Sequence, residues 1–351
     1  MKRTNYIIVG QGLAGTILAQ TFIDEGRSVI VIDEPALSKA SKIAAGLYNP
    51  VVFKRLVKSW LADELLPAMD KFYPAAEELL NKKFYFKKQI LKPFAEEQEK
   101  VLWQKKCNEE IGKYLGKKIY YDYLDDLIYN PLGASEIIDA GNLDTKLFLD
   151  SFRDYFKKNE MLAEEKFDHA AITFSENSVV YKNIQADKII FCEGYRSVDN
   201  PYFSWLPFKL TKGEIITIEL SEEYVIPMDK VINKGVFILP LGNNSYKVGA
   251  TYEWTDLSED PTEKGKSDLI EKLQKIIKVP FKIIDHQAGI RPTVNDRRPL
   301  IGLHPKHKSL GVFNGLGTKG VMLAPFFAKQ FVNFLEHQQP LDKEADIARF
   351  L

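Results

Sequence analysis

The chain has 351 residues, of which 45% are hydrophobic and 27% charged, so it is long enough for two domains and too apolar to be disordered. Lysine plus arginine and aspartate plus glutamate both number 48, and this balance argues against a general nucleic-acid binder. Cys107 and Cys192 form no CxxC pair, which argues against a disulfide framework or a zinc site and favours a reducing cytoplasm. No apolar run is long enough to predict a membrane span.

A glycine-rich turn between two short apolar segments opens the chain. Residues 6–9 and 28–32 have the continuous apolar pattern of buried parallel strands, and GQGLAG at residues 10–15 leads into a helical pattern that ends at residue 25. Asp33 follows the second strand, as the acid does in a dinucleotide-binding βαβ unit. A basic start before an apolar run is also typical of a signal peptide, but here glycines interrupt the run at the spacing that a phosphate turn needs.

The glycine positions explain how such a turn binds a dinucleotide. Gly10 makes the tight turn, Gly12 lets a pyrophosphate approach the backbone, and Gly15 lets the helix pack closely against the strand. The N–H groups at the helix N-terminus face the phosphates, and Asp33 accepts the ribose hydroxyls. The predicted cofactor contacts in this unit are Gly10, Gln11, Gly12, Leu13, Ala14, Gly15, Asp33 and Glu34.

A stretch of small residues follows this unit. Residues 35–50 include the run AAGLYNP, in which small side chains suit the approach of a flat ligand to the backbone, and an ordinary connection is the alternative. A loop is therefore predicted here. Its candidate site residues are Ala45, Gly46 and Leu47 at the cofactor and Tyr48 in catalysis.

Helical and strand-like patterns alternate in the next part of the chain. Charged helical spacing runs through residues 53–116 with a strand at residues 84–91, and residues 119–130 are predicted to form a strand. Asp144 has the position of a helix N-cap. Further strands are predicted at residues 162–167, 171–174, 179–182 and 186–194.

The strand predicted at residues 186–194 is apolar and ends in glycine. This is typical of a core strand of a dinucleotide domain whose carboxyl end meets the cofactor. Cys192 and Gly194 at this end are therefore predicted cofactor contacts, and Phe167 is a further candidate.

From residue 208 the pattern changes to longer strands joined by short turns. Strands are predicted at residues 213–220, 236–241, 246–254 and 281–288, and GNNS at residues 242–245 indicates a hairpin between two of them. Thr262 opens an amphipathic helix. This block predicts an antiparallel sheet with helices on one side, inserted as a second domain into the first.

A second glycine-rich turn lies near the end of the chain. A strand is predicted at residues 309–313, GLGTKG follows at residues 315–320, and a helix is predicted at residues 321–337. No further strand and acid complete a second dinucleotide unit, so we expect this helix to point its N-terminus at the same cofactor; a purely structural turn is the alternative. The predicted cofactor contacts here are Gly315, Gly317, Thr318, Lys319 and Gly320.

Taken in order, these motifs resemble the glycine oxidase, D-amino-acid oxidase and sarcosine oxidase family of FAD-dependent amine oxidoreductases. The resemblance covers essentially the whole chain. Its carriers are GQGLAG at residues 10–15 with Asp33, AAGLYNP at 44–50, FCEG at 191–194, KGE at 212–214, VGAT at 248–251, GIRPT at 289–293, RPLIG at 298–302 and GLGTKGVMLAP at 315–325.

The resemblance implies an α/β fold, in which a Rossmann-like FAD-binding domain carries an inserted α+β substrate domain built on an antiparallel sheet. The implied FAD-binding domain comprises residues 1–52, 131–205 and 290–351, and the substrate domain residues 53–130 and 206–289. The implied reaction is oxidation of a C–N bond of an amino acid or secondary amine by hydride transfer to flavin N5. Arg291 would hold the substrate carboxylate, and Lys319 is the predicted cation beside the flavin.

One departure from the family and two alternatives accompany this interpretation. Tyrosines near the strand before the hairpin help to hold the carboxylate in glycine-oxidase-like members, whereas this chain has Ile232 and Phe237 there. One alternative is the FAD domain that completes the aminomethyl modification of the tRNA wobble uridine; the other is a flavin-binding protein without turnover. The expected partners are a small amine or amino acid and O2 or another electron acceptor, with no membrane, no nucleic acid and no metal.

Overall fold

Two sheets form the framework of the protein. The computed structural model describes residues 1–34, 40–176 and 178–351. The strands are β1 (Lys2–Val9), β2 (Val29–Ile32), β3 (Leu47–Tyr48), β4 (Val51–Val52), β5 (Val57–Lys58), β6 (Tyr85–Pro93), β7 (Ala134–Leu143), β8 (Leu162–Ala163), β9 (Ile172–Phe174), β10 (Val179–Tyr181), β11 (Ile184–Phe191), β12 (Thr211–Glu219), β13 (Lys230–Lys234), β14 (Val236–Gly242), β15 (Ser245–Gly249), β16 (Lys282–Arg291), β17 (Leu300–Leu303) and β18 (Leu310–Asn314). The α-helices are α1 (Leu13–Asp24), α2 (Ala40–Ile43), α3 (Ala62–Leu80), α4 (Glu97–Lys106), α5 (Thr145–Lys158), α6 (Glu263–Gln274) and α7 (Gly320–His337).

The first sheet is mainly parallel, with the order β17-β18-β11-β1-β2-β8. Val9 at the end of β1 lies opposite both Phe191 of β11 and Ile32 of β2, so these strands end at one level. Ile8 faces a core shared with α1, α5 and α7, whereas Ile7 faces a core on the opposite side of the sheet. The turns that follow β1, β2 and β11 therefore meet at one edge, where α/β sheets bind their ligands.

The second sheet has the order β16-β12-β15-β14-β13-β6-β7-β3. The strands from β12 to β16 pair antiparallel as predicted, and β13 pairs parallel with β6. One face of this sheet packs on α6, through Leu269 and Leu273. The other face packs with Ala45 and Leu47, which follow α2. The second face is thus directed toward the chain that leaves the first sheet.

Several predicted elements differ from the structure. Residues 119–130 do not form a strand; isolated bridges join Tyr120 to Ala134 and Ile128 to Ile277. The predicted loop at residues 35–50 contains α2 and β3, and its residues 35–39 lie outside the described residues. The strand predicted at residues 162–167 is limited to β8. Strand β7 was not predicted, because buried polar residues interrupt its apolar pattern.

The proposed domain boundaries remain predictions. Strand β7 pairs with β6 and β3 in the second sheet, whereas the boundary at residue 131 assigns it to the FAD-binding domain. The segments that form β8 to β11 pair in the first sheet. Along the described residues, no helix is long and apolar enough to cross a membrane.

Candidate active site

The first glycine turn is held by close backbone contacts. Gly10 has φ +98°, and a Cβ there would lie 2.6 Å from the carbonyl oxygen of Cys192. A Cβ at Gly15 would lie 1.8 Å from the carbonyl oxygen of Gly10. At Gly12 a Cβ would meet only the Ser41 hydroxyl, at 3.3 Å, and that hydroxyl accepts from the backbone N–H of Leu13, also at 3.3 Å. Gly10 and Gly15 are thus required by packing, whereas Gly12 leaves the backbone at the start of α1 open to the approach of a ligand.

Asp33 lies at the end of β2, and Gln11 and Arg153 are among the residues that hold its carboxylate. Its Oδ1 accepts from the backbone N–H of Gln11 at 2.8 Å, and its Oδ2 accepts from Arg153 Nη1 at 2.6 Å. Arg153 also pairs with Glu164 at 2.8 Å. The Gln11 side chain turns away toward α5, where Nε2 donates to the carbonyl of Leu149. Sequence analysis missed Arg153, although a charge four residues after the inward-facing Leu149 was an available signal.

The other predicted cofactor contacts surround this edge or support it. Gly46 has φ +66°, and a Cβ there would lie 1.9 Å from the carbonyl oxygen of Leu143, so the loop presses against the end of β7. Cys192 is buried, and burial raises the pKa of its thiol. Phe167 stacks on Tyr181 at 4.3 Å in a core of the first sheet. Of the remaining residues, Leu13 and Ala45 are buried, and Ala14, Glu34, Leu47 and Gly194 are partly exposed.

The second glycine turn is joined to the first sheet. Gly315 has φ +72°, and a Cβ there would lie 2.9 Å from the backbone nitrogen of Leu300. Asn314, which precedes it, donates from Nδ2 to the carbonyl of Gly194 at 2.8 Å. Helix α7 begins after this turn and packs along α1. The structure thus brings the two glycine turns to neighbouring positions. Gly317 and Gly320 are partly exposed and Thr318 is exposed.

Arg291 is the last residue of β16, and its guanidinium lies over Gly213 of the neighbouring strand β12. A Cβ at Gly213 would be only 1.8 Å from its Nη2, so a side chain at this position would displace the guanidinium. Nη1 donates to the carbonyl of Thr251 at 3.3 Å, and the guanidinium lies 4.8 Å from the centre of the Tyr252 ring. Burial lowers its pKa. Among the described residues no carboxylate pairs with Arg291 within 4.0 Å, so its remaining donors are available to an anion.

Two glycines, Gly213 and Gly289, lie on the same face of the second sheet as Arg291. Gly289 lies two residues before Arg291 on the same face and is opposite Gly213 on β12. A Cβ at Gly289 would lie 3.1 Å from Cα of Ala40 in α2. Phe237 of β14 belongs to the same face. Arg291 is therefore on the side of the second sheet that faces α2 and the loop leaving the first sheet.

A family model described as DAO, FAD dependent oxidoreductase, matches residues 5–333. The chain belongs to this family. FAD is therefore its cofactor, and the protein is an FAD-dependent oxidoreductase, as the sequence motifs predicted.

Relatives of two kinds match the chain. Glycine oxidase from Pseudomonas putida is 28% identical over 171 residues, which are 47% of this chain and 46% of that protein. Glycine oxidase from Bacillus subtilis is 24% identical over 223 residues, 59% of each protein. The tRNA 5-methylaminomethyl-2-thiouridine biosynthesis bifunctional protein MnmC from Legionella pneumophila is 25% identical over 328 residues, 85% of this chain and 45% of that protein. The chain thus spans about half the length of the curated relatives it matches.

Solved structures confirm the predicted fold. Iminodiacetate oxidase from Chelativorans sp. BNC1 has a TM-score of 0.80 at 19% identity and covers 97% of this chain and 98% of its own. Glycine oxidase from Bacillus cereus has a TM-score of 0.77 at 20% identity and covers 96% of both chains. The architecture is therefore the Rossmann-like FAD-binding fold with an antiparallel-sheet substrate domain.

Lys319 in the flavoprotein's second glycine turn is a cation without an acidic partner. Its Nζ donates to the Ser59 hydroxyl, and no carboxylate of the described chain pairs with it. Burial, and next the positive charge of Arg297, lowers the pKa of the ammonium to about 8. Lys319 can therefore supply a positive charge below this pH and lose it above.

Tyr48, a predicted catalytic residue, lies in a different environment. Its ring stacks on Tyr85 at 5.3 Å, and a Cβ at Gly141 would be 2.5 Å from its hydroxyl. Burial raises the pKa of that hydroxyl. In the described parts of the chain, no hydrogen bond or ring contact joins Tyr48 to Arg291 or Lys319. The structure thus offers no contact in support of a catalytic role.

The predicted departure from the family at Ile232 and Phe237 has a structural explanation. Ile232 lies opposite Ile238 and packs on α6, on the face away from Arg291. Phe237 is on the Arg291 face, but Tyr252 is the aromatic residue in contact with the guanidinium. Ile232 therefore does not affect the site, and a tyrosine that sequence analysis missed stands beside the predicted anchor.

Proposed function

We propose that this oxidoreductase acts on the C–N bond of an amino acid or an N-substituted amino acid whose carboxylate binds Arg291. The observation that carries this proposal is the guanidinium itself, which is only partly exposed to solvent and has no carboxylate partner in the described chain. A buried charge without a counter-ion is costly, so the pairing is expected to come from a ligand. The planar fork of arginine suits a bidentate carboxylate, which lysine cannot reproduce.

Residues at the edge of the first sheet fit FAD. The N-terminus of α1 beside Gly12 suits the pyrophosphate, and Asp33, which accepts from Gln11 and Arg153, suits the ribose. Bound FAD supplies the hydride acceptor for the reaction. Lys319, in the second glycine turn, would provide positive charge where the reduced cofactor carries negative charge.

The protein side chains chiefly position the substrate. Arg291 would fix the carboxylate, and Gly213 on the same sheet face leaves room for the guanidinium itself. His286, two residues from Ala288 on β16, faces the opposite side, where its Nε2 lies 2.8 Å from Glu214. We therefore assign it no catalytic function, and the substrate amine would lose its proton to solvent before it binds.

The names of the relatives support the same substrate class. Glycine oxidase and iminodiacetate oxidase are named for small amines that carry carboxylates. The test is anaerobic reduction of the bound flavin by a matched panel: glycine, sarcosine and iminodiacetate, each beside an amine of similar size without the carboxylate. Bleaching by members with a carboxylate is expected. Bleaching only by amines that lack it would refute the anchor, and no bleaching by either group would support a flavin-binding protein without turnover.

A second candidate is modification of a tRNA uridine. It is favoured by the alignment with MnmC, which extends over 85% of this chain, farther than the glycine oxidase alignments do. A carboxymethylamine on uridine would present the same carboxylate to Arg291. The same anaerobic assay, with tRNA that carries a carboxymethylaminomethyl uridine, separates the candidates: bleaching by this tRNA but not by free amino acids would favour the second.

A further inference from the structure

Two exposed aromatic residues continue the substrate face beyond Arg291. After β15 the chain runs on beside β12, because Lys212 and Glu253 exchange two backbone hydrogen bonds, of 2.8 and 3.0 Å. Residues on either side of Glu253 therefore point to the face opposite its own side chain. These residues are Tyr252, which contacts Arg291, and Trp254. Their ring centres are 6.3 Å apart with an interplanar angle of 27°.

Both rings are open to solvent although their backbone is firmly held. Tyr252 is 55% exposed and Trp254 56% exposed. The Glu253 carboxylate accepts from the backbone N–H groups of Trp254 and Thr255, each at 2.8 Å. Exposed aromatic surface on a fixed backbone is typical of a binding surface rather than of a mobile loop tip.

A buried polar network anchors the rest of this segment. Lys212, which is fully buried, donates from Nζ to Asp256 and to Ser258, each at 2.9 Å. Glu214 accepts from the backbone N–H of Thr262 at 2.9 Å and from its hydroxyl at 2.8 Å. The segment from residue 250 to residue 262 is thus tied to β12 at both ends, and the two rings keep their place relative to Arg291.

We propose that Tyr252 and Trp254 form a stacking platform for a planar ring carried on the substrate nitrogen, so that the preferred substrate is an N-arylmethyl amino acid or a heteroaromatic equivalent. This inference rests on the proposed function, because Arg291 must hold the carboxylate at the other end. The guanidinium is in contact with Tyr252, and Tyr252 with Trp254, so the platform begins at the anchor. Flat rings stack on aromatic faces more favourably than saturated groups of the same size.

The test compares kcat/KM for three substrates: N-benzylglycine, N-(cyclohexylmethyl)glycine and sarcosine. In the wild-type protein N-benzylglycine is expected to be the best substrate and the cyclohexylmethyl compound clearly poorer. Trp254→Ala should lower the ratio of N-benzylglycine to sarcosine about five- to tenfold, as loss of one stacking partner predicts. The control is Tyr129→Ala, since Tyr129 is 47% exposed and pairs with the chain after α6, on the far side of the sheet. It should leave the ratio unchanged.

The outcomes separate this inference from the proposed function. If sarcosine reduces the flavin in every variant but Trp254→Ala leaves the ratio unchanged, the platform is refuted and the anchor stands. An equal loss for the benzyl and cyclohexylmethyl compounds would also refute it, because the contact would then be apolar without preference for a ring. If none of the three compounds reduces the flavin of the wild-type protein, the proposed function fails and the platform fails with it. FAD content is measured in each variant to confirm that it is folded.

Discussion

Two arginines, one at each end of the candidate site, are both shielded from water but differ in their partners. Arg153 is 15% exposed at its side chain and pairs with Asp33 at 2.6 Å and with Glu164 at 2.8 Å. Arg291 contacts a carbonyl oxygen and the ring of Tyr252 and has no carboxylate partner in the described chain. The first arginine is paired within the protein and holds Asp33, the predicted cofactor contact, in place. We propose that a ligand pairs with the second, so that the partners of the two arginines, rather than their burial, distinguish their functions.

The largest expected effect concerns the cofactor end. Gly12→Val should yield protein without FAD, because a branched side chain would fill the space where the pyrophosphate meets the backbone. The wild-type protein should be yellow with one non-covalent FAD per chain, measured by absorbance after gel filtration. The control is Ala75→Val, on the exposed side of α3 and away from the glycine turns, and it should stay yellow. A colourless wild-type protein that binds NAD instead would contradict the account.

The next prediction compares the contributions of the two arginines to the stability of the protein. Arg153→Met should lower the free energy of unfolding by about 2–4 kcal/mol, because it removes the ion pair, of 2.6 Å, that Arg153 makes with the buried Asp33 carboxylate. Arg291→Met should leave that free energy unchanged or raise it, because it removes a charge that the protein does not pair. Urea denaturation of both variants without ligand measures the difference. Equal losses would show that the two arginines have the same structural function.

A smaller effect is expected at Lys319. Lys319→Met should lower the midpoint potential of the bound flavin by on the order of 30 mV, equivalent to about 1.4 kcal/mol for two electrons, while FAD remains bound. Since the pKa of Lys319 is lowered to about 8, the lysine is cationic below that pH and neutral above it. The difference between variant and wild type should therefore be present at neutral pH and fade as the pH rises through 8. An unchanged potential at neutral pH would assign Lys319 a structural function at Ser59.

The smallest effect concerns Tyr252. Tyr252→Phe should change the affinity for a carboxylate ligand by less than about 1 kcal/mol, because the ring that contacts Arg291 is kept. Tyr252→Ala should cost more, since it removes that ring and exposes the guanidinium to water. Titration of the flavin spectrum with the ligand gives both values. If Tyr252→Phe lowers the affinity as much as Tyr252→Ala does, the Tyr252 hydroxyl contributes more to ligand binding than its ring.

The sequence predicts best the parts that local rules determine. The first βαβ unit was predicted because continuous apolar strands and the spacing of Gly10 and Gly15 each have a direct steric meaning, which the close contacts of both glycines confirm. The N-cap at Asp144 was likewise correct, since its carboxylate accepts from the backbone N–H of Leu147 at 3.0 Å.

The parts that failed depend on partners distant in sequence. Strand β7 was missed because Ser135 and Glu136 in it are buried and have partners distant in sequence: the Ser135 hydroxyl lies within hydrogen-bond distance of two carbonyl oxygens, and Glu136 pairs with Lys230 at 2.7 Å. At residues 119–130 the apolar pattern reflects packing rather than a strand, with Ile128 fully buried against the α6 core.

In the candidate site, too, local patterns predicted some features, whereas others depend on contacts distant in sequence. Arg291 was predicted from a resemblance and from its place at the end of a strand, but its lack of an ion pair could only be seen in the structure. Tyr252 was not predicted as a site residue. Its position beside Arg291 depends on the register in which the chain after β15 pairs with β12, and no local sequence pattern determines that register.

The most direct test of the account is the affinity of Arg291→Met for a carboxylate. A non-oxidisable carboxylate ligand is titrated into the wild-type and variant proteins, and its dissociation constant is taken from the change in the flavin spectrum. We expect that Arg291→Met stays folded and yellow but binds the ligand about 2–5 kcal/mol more weakly, the cost of removing one partner of a buried charge pair. The same substitution should leave the affinity for amines without a carboxylate unchanged. An unchanged affinity for the carboxylate, or loss of FAD instead, would contradict the claim that Arg291 anchors the substrate.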